Sequence, residues 1–160
     1  MDILPLSDAD YDRILNVVHE RAAAWAEEHG AGLIRGVNET TREGVREATA
    51  SAIREGITMD DLADRLDEAW VFGEDRALMI ARTETCFAQV AGTIQSYEEA
   101  GIQQKEWLMA DSLPCTDCEE LNGEIVGIDE QFSNGLDGPP DHPNCRCDVL
   151  PVIPEPDAQE

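Results

Sequence analysis

Four cysteines and a histidine lie close together near the end of the chain, with the residue types and the spacing of a metal site. Cys115 and Cys118 form a Cys-x2-Cys pair, which can place two thiolates on one tight turn. After a longer loop come His142, Cys145 and Cys147. Two short ligand pairs joined by a loop are the usual layout of a closed tetrahedral zinc site, so the sequence predicts zinc here.

This segment offers five candidate ligands for four positions. The Cys-x2-Cys pair is the firm half, and the proline after His142 biases that histidine toward an extended conformation from which a turn can bring it beside Cys145. Cys145 and Cys147, if they lie on a strand, start about 7 Å apart, which is long for neighbouring tetrahedral ligands. We therefore expect one structural zinc ion per chain, held by Cys115, Cys118, His142 and Cys145, with Cys147 as the alternative fourth ligand.

The same cysteines could instead be reduced core thiols or a disulfide pair. The start of the chain lacks the cationic and apolar regions of a signal peptide, which favours a reducing compartment, where clustered cysteines are more often metal ligands. The segment around them also has few large apolar side chains, and a bound ion can supply the missing stability. A redox role for the Cys-x2-Cys pair would require a βαβ context, which the pattern does not show.

Helices must position this segment, because four apolar patterns of helical spacing precede it. They predict helices from Ser7 to His29, from Asn38 to Gly56, from Thr58 to about Trp70, and from Glu74 to Ala100, the last being the longest. Short apolar runs and turn residues follow. We predict an α+β fold: a mainly helical body of about four helices over residues 1–101, with one long central helix, a small zinc-stapled β-rich subdomain over 102–153, and a disordered acidic tail over 154–160.

The charge of the chain is strongly negative. Its formal net charge is −24, from 35 Asp and Glu against 11 Lys and Arg. Such a surface repels phosphate backbones, which argues against direct binding to nucleic acid. Self-repulsion of this size is best tolerated in strong salt, so we infer a halophilic source. No apolar run approaches the roughly 20 residues that a membrane helix needs, so we expect no membrane association.

Three stretches together resemble a known family. They are IARTET in the last long helix, the run YEEAGIQQKEWLMADSLPCTDCEELNGEIV, and FSNGLDGPPDHPNCRCDVLPV. In this combination the chain resembles the Mu F-like head morphogenesis proteins, minor capsid proteins of tailed phages, over roughly residues 30–152. The resemblance implies a virion component, located in the capsid interior or at the portal vertex, with the portal protein, the major capsid protein or both as partners. During assembly it would be in the host cytoplasm.

The ARTET stretch contains charged residues without a catalytic pattern. Arg82 has no acidic neighbour three or four residues away on its own helix, so it is either solvated or bonded to another segment. We interpret Arg82 and Glu84 as structural polar contacts and predict that the protein is not an enzyme, because no nucleophile and base accompany them. The alternative is a zinc-containing HNH-like nuclease, since a His-Asn pair lies beside the cysteines. The acidic charge argues against it.

Overall fold

The described residues form seven regular elements. The computed structural model describes residues 8–31, 34, 36–110, 116 and 118–153. The helices are α1 (Asp8–His29), α2 (Glu39–Glu55), α3 (Met59–Trp70) and α4 (Glu74–Glu99), and the strands are β1 (Gln104–Leu108), β2 (Ile125–Gly127) and β3 (Asp148–Val152). The predicted α+β class, with four helices before a small sheet, is confirmed.

Local capping explains where the middle helices begin and end. The Asn38 side chain accepts a hydrogen bond from the Thr41 amide at 2.9 Å and so caps the first turn of α2. Thr58 and Asp61 form a reciprocal capping box at the start of α3. Gly56 ends α2 in the left-handed conformation, with φ of 66°, which glycine adopts without steric cost.

The helices pack around small side chains. Where α1 crosses the others, the buried residues are mostly alanines: Ala22, Ala23, Ala26, Ala50, Ile53 and Ala88. At Gly92 the two long helices approach so closely that an added Cβ would lie 2.8 Å from the backbone nitrogen of Ala22. A second core, around Leu62, Leu66 and Ile80, joins α2 and α3 to the first half of α4.

The sheet packs against the other half of α4. Its strand order is β2-β1-β3, and β1 is antiparallel to both neighbours. The buried core of this part combines side chains from α4, the sheet and the loops: Val90, Ile94, Trp107, Cys118, Leu121, Phe132, Cys145, Cys147 and Val149. We call α1–α4 the helical region and residues 104–152 the C-terminal region. The two share α4 as a common wall.

Several sequence predictions concern residues outside those described. Cys115 and the predicted tail over 154–160 are among them. The domain boundaries at 101 and 153 also stay predictions. Among the helices described, none combines the length and the apolar character needed to cross a membrane.

Candidate metal centre

Three cysteine sulfurs meet in the interior of the C-terminal region. Cys118 lies at the start of the turn that follows β1, and Cys145 and Cys147 lie just before β3. All three residues are buried, and their Sγ atoms lie within 4.8 Å of one another. This cysteine cluster (Cys118, Cys145 and Cys147) could hold a metal ion.

Backbone hydrogen bonds bring the two halves of the cluster together. The turn of Cys118 closes through the Leu121 amide, which donates to the Cys118 carbonyl at 3.1 Å. The Gly123 amide then donates to the Trp107 carbonyl at 2.8 Å, which ties this turn to β1. Because β3 pairs with the other edge of β1, the residues before β3 reach the same end of the sheet.

The sulfur separations suit a tetrahedral ion. Cys118 Sγ and Cys145 Sγ are 3.8 Å apart. Two sulfurs at about 2.3 Å from a tetrahedral zinc ion stand about 3.8 Å from each other, so this pair already has the spacing of bound ligands. Strand β3 begins only at Asp148, so Cys145 and Cys147 are not held at the spacing of a regular strand.

His142 approaches the cysteine cluster through Cys118. Its Nε2 lies 3.5 Å from Cys118 Sγ, and its Nδ1 lies 2.9 Å from the Pro143 carbonyl. A carbonyl can only accept, so Nδ1 carries a proton, and Nε2 is the ring atom that faces Cys118 Sγ. A zinc-bound nitrogen and sulfur also stand about 3.5 Å apart, so His142 fits either as a ligand or as a partner of the Cys118 sulfur.

Trp107 supplies an observation that fits a metal-bound thiolate at Cys147. Its indole is wholly buried against the edge of Phe132, with ring centroids 5.1 Å apart, and its Nε1 makes no regular hydrogen bond. Burial raises the pKa of Cys147, while an interaction with Trp107 acts in the opposite direction. A metal-bound thiolate at Cys147 would give the buried indole N–H an acceptor, so the surroundings of Cys147 fit a metal ligand.

The ARTET stretch of α4 holds the segment that carries the candidate ligands His142 and Cys145. Arg82 Nη1 donates to Asn144 Oδ1 at 3.1 Å, and the Asn144 amide donates to Thr83 Oγ1 at 3.0 Å. Asn144 has φ of 64°, a left-handed turn that asparagine tolerates, and the next amide closes that turn onto the His142 carbonyl. Two consecutive residues of α4 thus fix the turn between His142 and Cys145.

Further along α4, two more side chains bond the backbone around β3. The Cys86 thiol lies 3.7 Å from the Cys147 carbonyl, and the Tyr97 hydroxyl donates to the Val149 carbonyl at 3.3 Å. Burial raises the pKa of Cys86 to about 12, with smaller contributions from Cys145 and other neighbours. Cys86 is therefore a protonated thiol that donates to the backbone, as a core cysteine would.

Comparison with known proteins identifies the combination of α4 and the cysteine segment. The sequence pattern of the family described as Phage Mu protein F like protein matches residues 43–150, which is more than half of the 160 residues. The chain belongs to this family. The match includes the ARTET stretch and the whole cysteine cluster, while α1 lies before it.

Individual relatives of this Mu F-like chain are more distant. It is 31% identical to the Minor head protein GP7 of Bacillus phage SPP1, over 66% of this chain and 39% of that protein. It is 26% identical to the uncharacterized protein YqbB of Bacillus subtilis, over 86% of this chain and 50% of that one. It is 30% identical to the NAD(+)--arginine ADP-ribosyltransferase EFV of Enterococcus faecalis, over 94% of this chain and 33% of that protein.

The Mu F-like chain thus spans between 27% and 50% of the length of the curated relatives that it matches. No solved structure matches the chain significantly.

Glu84, which the sequence groups with Arg82, points elsewhere. Its carboxylate accepts a hydrogen bond from the Ala31 amide, at the end of α1. Burial raises its pKa, against smaller opposite effects of the Ala31 amide and Arg46. Glu84 thus joins α4 to α1 and lies apart from the cysteine cluster.

Three residues of the site are not among the site residues predicted from the sequence. Thr83 and Asn144 form the bond between α4 and the turn from His142 to Cys145, and Trp107 faces the cysteine cluster. Asparagine between two candidate ligands was a usable signal, because this residue type favours left-handed turns. The partnership of Thr83 had no local signal, since Thr83 and Asn144 lie 61 residues apart in the sequence.

Proposed function

We propose that the protein is a minor capsid or head morphogenesis protein of a tailed virus, with a structural and non-enzymatic role in head assembly. The observation that carries this proposal is the family match over residues 43–150, which include most of α2, all of α3 and α4, and the cysteine cluster. The relative named Minor head protein GP7 supports the same role. Family membership and this relative both favour a virion component.

The proposed partners are the portal protein, the major capsid protein or both. The proposed location is the capsid interior or the portal vertex, reached from the host cytoplasm during assembly. The strongly acidic surface supports protein partners over nucleic acid, because contact with a phosphate backbone would add like charges.

Fractionation of virus particles tests the role. Particles from infected cells are purified on a density gradient, and the protein is traced with an antibody in particles and in the free lysate. We expect it in the particles, and we expect it to stay with portal or capsid protein after mild disruption. The proposal would be contradicted if the protein stayed in the lysate and were absent from particles that contain the portal protein.

We further propose one structural zinc ion per chain. Cys118, Cys145 and Cys147 would supply three sulfur ligands, and Cys115 the fourth, with His142 as the alternative. The close grouping of the three sulfurs and the indole of Trp107 support including Cys147, whereas the sequence alone favoured His142. His142 would then be a neighbour of the Cys118 sulfur, with its ring orientation set by the bond to the Pro143 carbonyl.

No second function has an observation of its own. The HNH-like nuclease would need a catalytic histidine near an additional metal. Both ring nitrogens of His142 already have neighbours, since Nε2 lies beside Cys118 Sγ and Nδ1 beside the Pro143 carbonyl. The transferase activity in the name of one relative belongs to a protein of which the chain covers 33%. A plasmid-cleavage assay with divalent metals would reveal the nuclease if it existed.

The excess of acids also motivates a proposal about the source. We infer that the virus infects a halophilic host, where salt screens the repulsion within a chain of net charge −24. The salt dependence of stability tests this inference directly.

A further inference from the structure

A groove lies on the face of the molecule between α1, α4 and the loop over residues 128–139. Its volume is about 770 Å³, and all of its lining residues belong to the described part of the chain. Half-buried Trp25 and Phe87 stack in its wall, with ring centroids 5.6 Å apart, and the buried side chains of Val90 and Ile94 lie beneath. The groove therefore offers an aromatic and aliphatic surface to a partner.

Carboxylates dominate the exposed edge of this groove. Glu28, Glu98, Asp129 and Asp137 line it and are exposed on three different segments. Together with the apolar wall they form what we call the acidic groove.

The two strong cations of the acidic groove are already engaged within the molecule. Arg21 donates to the Ser96 hydroxyl at 2.7 Å and forms an ion pair with Glu99. Lys105 is buried, donates to the Ile128 carbonyl at 2.8 Å and lies over the Phe132 ring. The field presented to a partner is therefore negative, apart from the exposed imidazole of His29.

This chemistry selects one kind of occupant. At physiological salt, at which binding is tested, a second copy of the chain would bring another net charge of −24 and a nucleic acid would bring phosphates, so both are repelled. An apolar floor inside an acidic rim is complementary to a segment with apolar side chains on one face and Lys or Arg on the other. We propose that the acidic groove binds a basic amphipathic segment of another protein. This inference concerns a face apart from the cysteine cluster and stands without the proposed head role.

A synthetic amphipathic peptide of Lys and Leu, of about 15 residues, serves as the probe. Binding of the labelled peptide to the full chain is measured by fluorescence anisotropy at physiological salt. A peptide with Glu in place of Lys and one with the Leu residues replaced by Ser are the matched probes. We expect binding of the first peptide only, because the proposal requires both the basic charge and the apolar face.

Variants of the chain locate the binding. Glu28→Gln, Glu98→Gln and Asp137→Asn are combined, and the matched control combines Glu47→Gln, Asp64→Asn and Glu68→Gln, which are exposed carboxylates on α2 and α3. Both triples remove the same charge, yet we expect only the first to weaken binding, by about tenfold. Leu136→Ser in the groove should also weaken it, while Val71→Ser, at a residue that is 85% exposed elsewhere, should not.

Equal losses in the two triples would show diffuse attraction to an acidic surface and overturn the proposal. No binding of the Lys and Leu peptide, or equal binding of the Ser-substituted peptide, would overturn it as well. Circular dichroism of each variant separates a lost groove from a lost fold.

Discussion

The two halves of α4 pack against cores of different chemistry. The first half meets α2 and α3 through aliphatic side chains such as Leu62 and Leu66, whose burial by itself stabilises a helical bundle. The second half meets a sheet of three short strands, whose core includes the sulfurs of the cysteine cluster. The helical region has an aliphatic core of its own, whereas the core of the C-terminal region includes buried cysteine sulfurs where a larger domain would place more hydrocarbon.

The two halves of α4 thus adjoin regions that are stabilised in different ways. Local caps and apolar packing suffice for α2 and α3, because each contact is made by neighbours in sequence or by aliphatic faces. The C-terminal region depends on contacts that close long loops, such as that from Arg82 to Asn144. Removing these loop-closing contacts should therefore destabilise the C-terminal region and leave the helical region folded.

Removal of the metal should produce the largest difference in stability between the two regions. We expect the purified protein to contain about one zinc ion per chain, and chelation to unfold the C-terminal region while the helices persist. The apparent free energy of structural zinc binding is on the order of 10 kcal/mol, which exceeds what three short strands can replace. Far-ultraviolet circular dichroism should keep its helical signal, while the fluorescence of Trp107 changes. A wild-type protein that contains no metal and still has a folded C-terminal region would contradict the zinc proposal.

Single substitutions then test which residues bind the zinc ion. Cys118→Ser should abolish zinc binding, and Cys147→Ser should do so as well. His142→Ala should keep the ion with affinity lowered about 10- to 100-fold, as for a residue that orients a ligand. Cys86→Ser is the matched control and should keep zinc, because its thiol is protonated and bonds the backbone. If His142→Ala loses zinc while Cys147→Ser retains it, the ligand set expected from the sequence alone is the correct one.

A change at Gly92 should damage the helical region and spare the metal. Gly92→Ala adds a Cβ that would lie 2.8 Å from the Ala22 nitrogen and 3.0 Å from the Val18 oxygen. The gain in helix propensity is about 1 kcal/mol, but forced separation of α1 from α4 should cost about 1 to 3 kcal/mol. Urea unfolding measures the net loss, with zinc content unchanged. Gln89→Ala, at an exposed position of the same helix, should not destabilise the protein.

The buried carboxyl of Glu84 gives the helical region a dependence on pH. Because burial raises its folded pKa above 4.5, the folded state binds the proton more tightly than the unfolded state does. Its stabilising contribution is complete below pH 4.5 and is lost as pH rises through the folded pKa. Glu84→Gln keeps an oxygen acceptor for the Ala31 amide and should remove this decline. Unfolding free energies of both proteins between pH 4 and 8 check this, and parallel curves would contradict it.

Salt should have the smallest and the least localised effect. Raising it from 0.1 M to 1 M shortens the screening length from about 10 Å to 3 Å, which weakens repulsion among the 35 acids. Surface pairs such as Arg65 with Glu55 are weakened too, but each contributes little. We expect the melting temperature of both regions to rise with salt. A melting temperature that does not change would remove the case for a halophilic source.

The sequence by itself determined the limits of the middle helices and the class of the fold. The helix caps act through hydrogen bonds to residues within four positions, so the sequence alone predicts them; they are Asn38, Gly56 and Thr58. The family motifs were equally legible, because they are strings of residues. The sequence also predicted that the segments of Cys118, Cys145 and Cys147 come together, since cysteine spacing is a local property.

Only the tertiary structure decided which groups meet. Cys118 and Cys145 lie 27 positions apart, and their 3.8 Å separation follows from the pairing of β1 with both neighbouring strands. The bond between Arg82 and Asn144 spans 62 positions, and the acidic groove combines three separate segments. Such contacts result from how helices and strands pack once their apolar faces are buried, and residue spacing along the chain does not encode that packing.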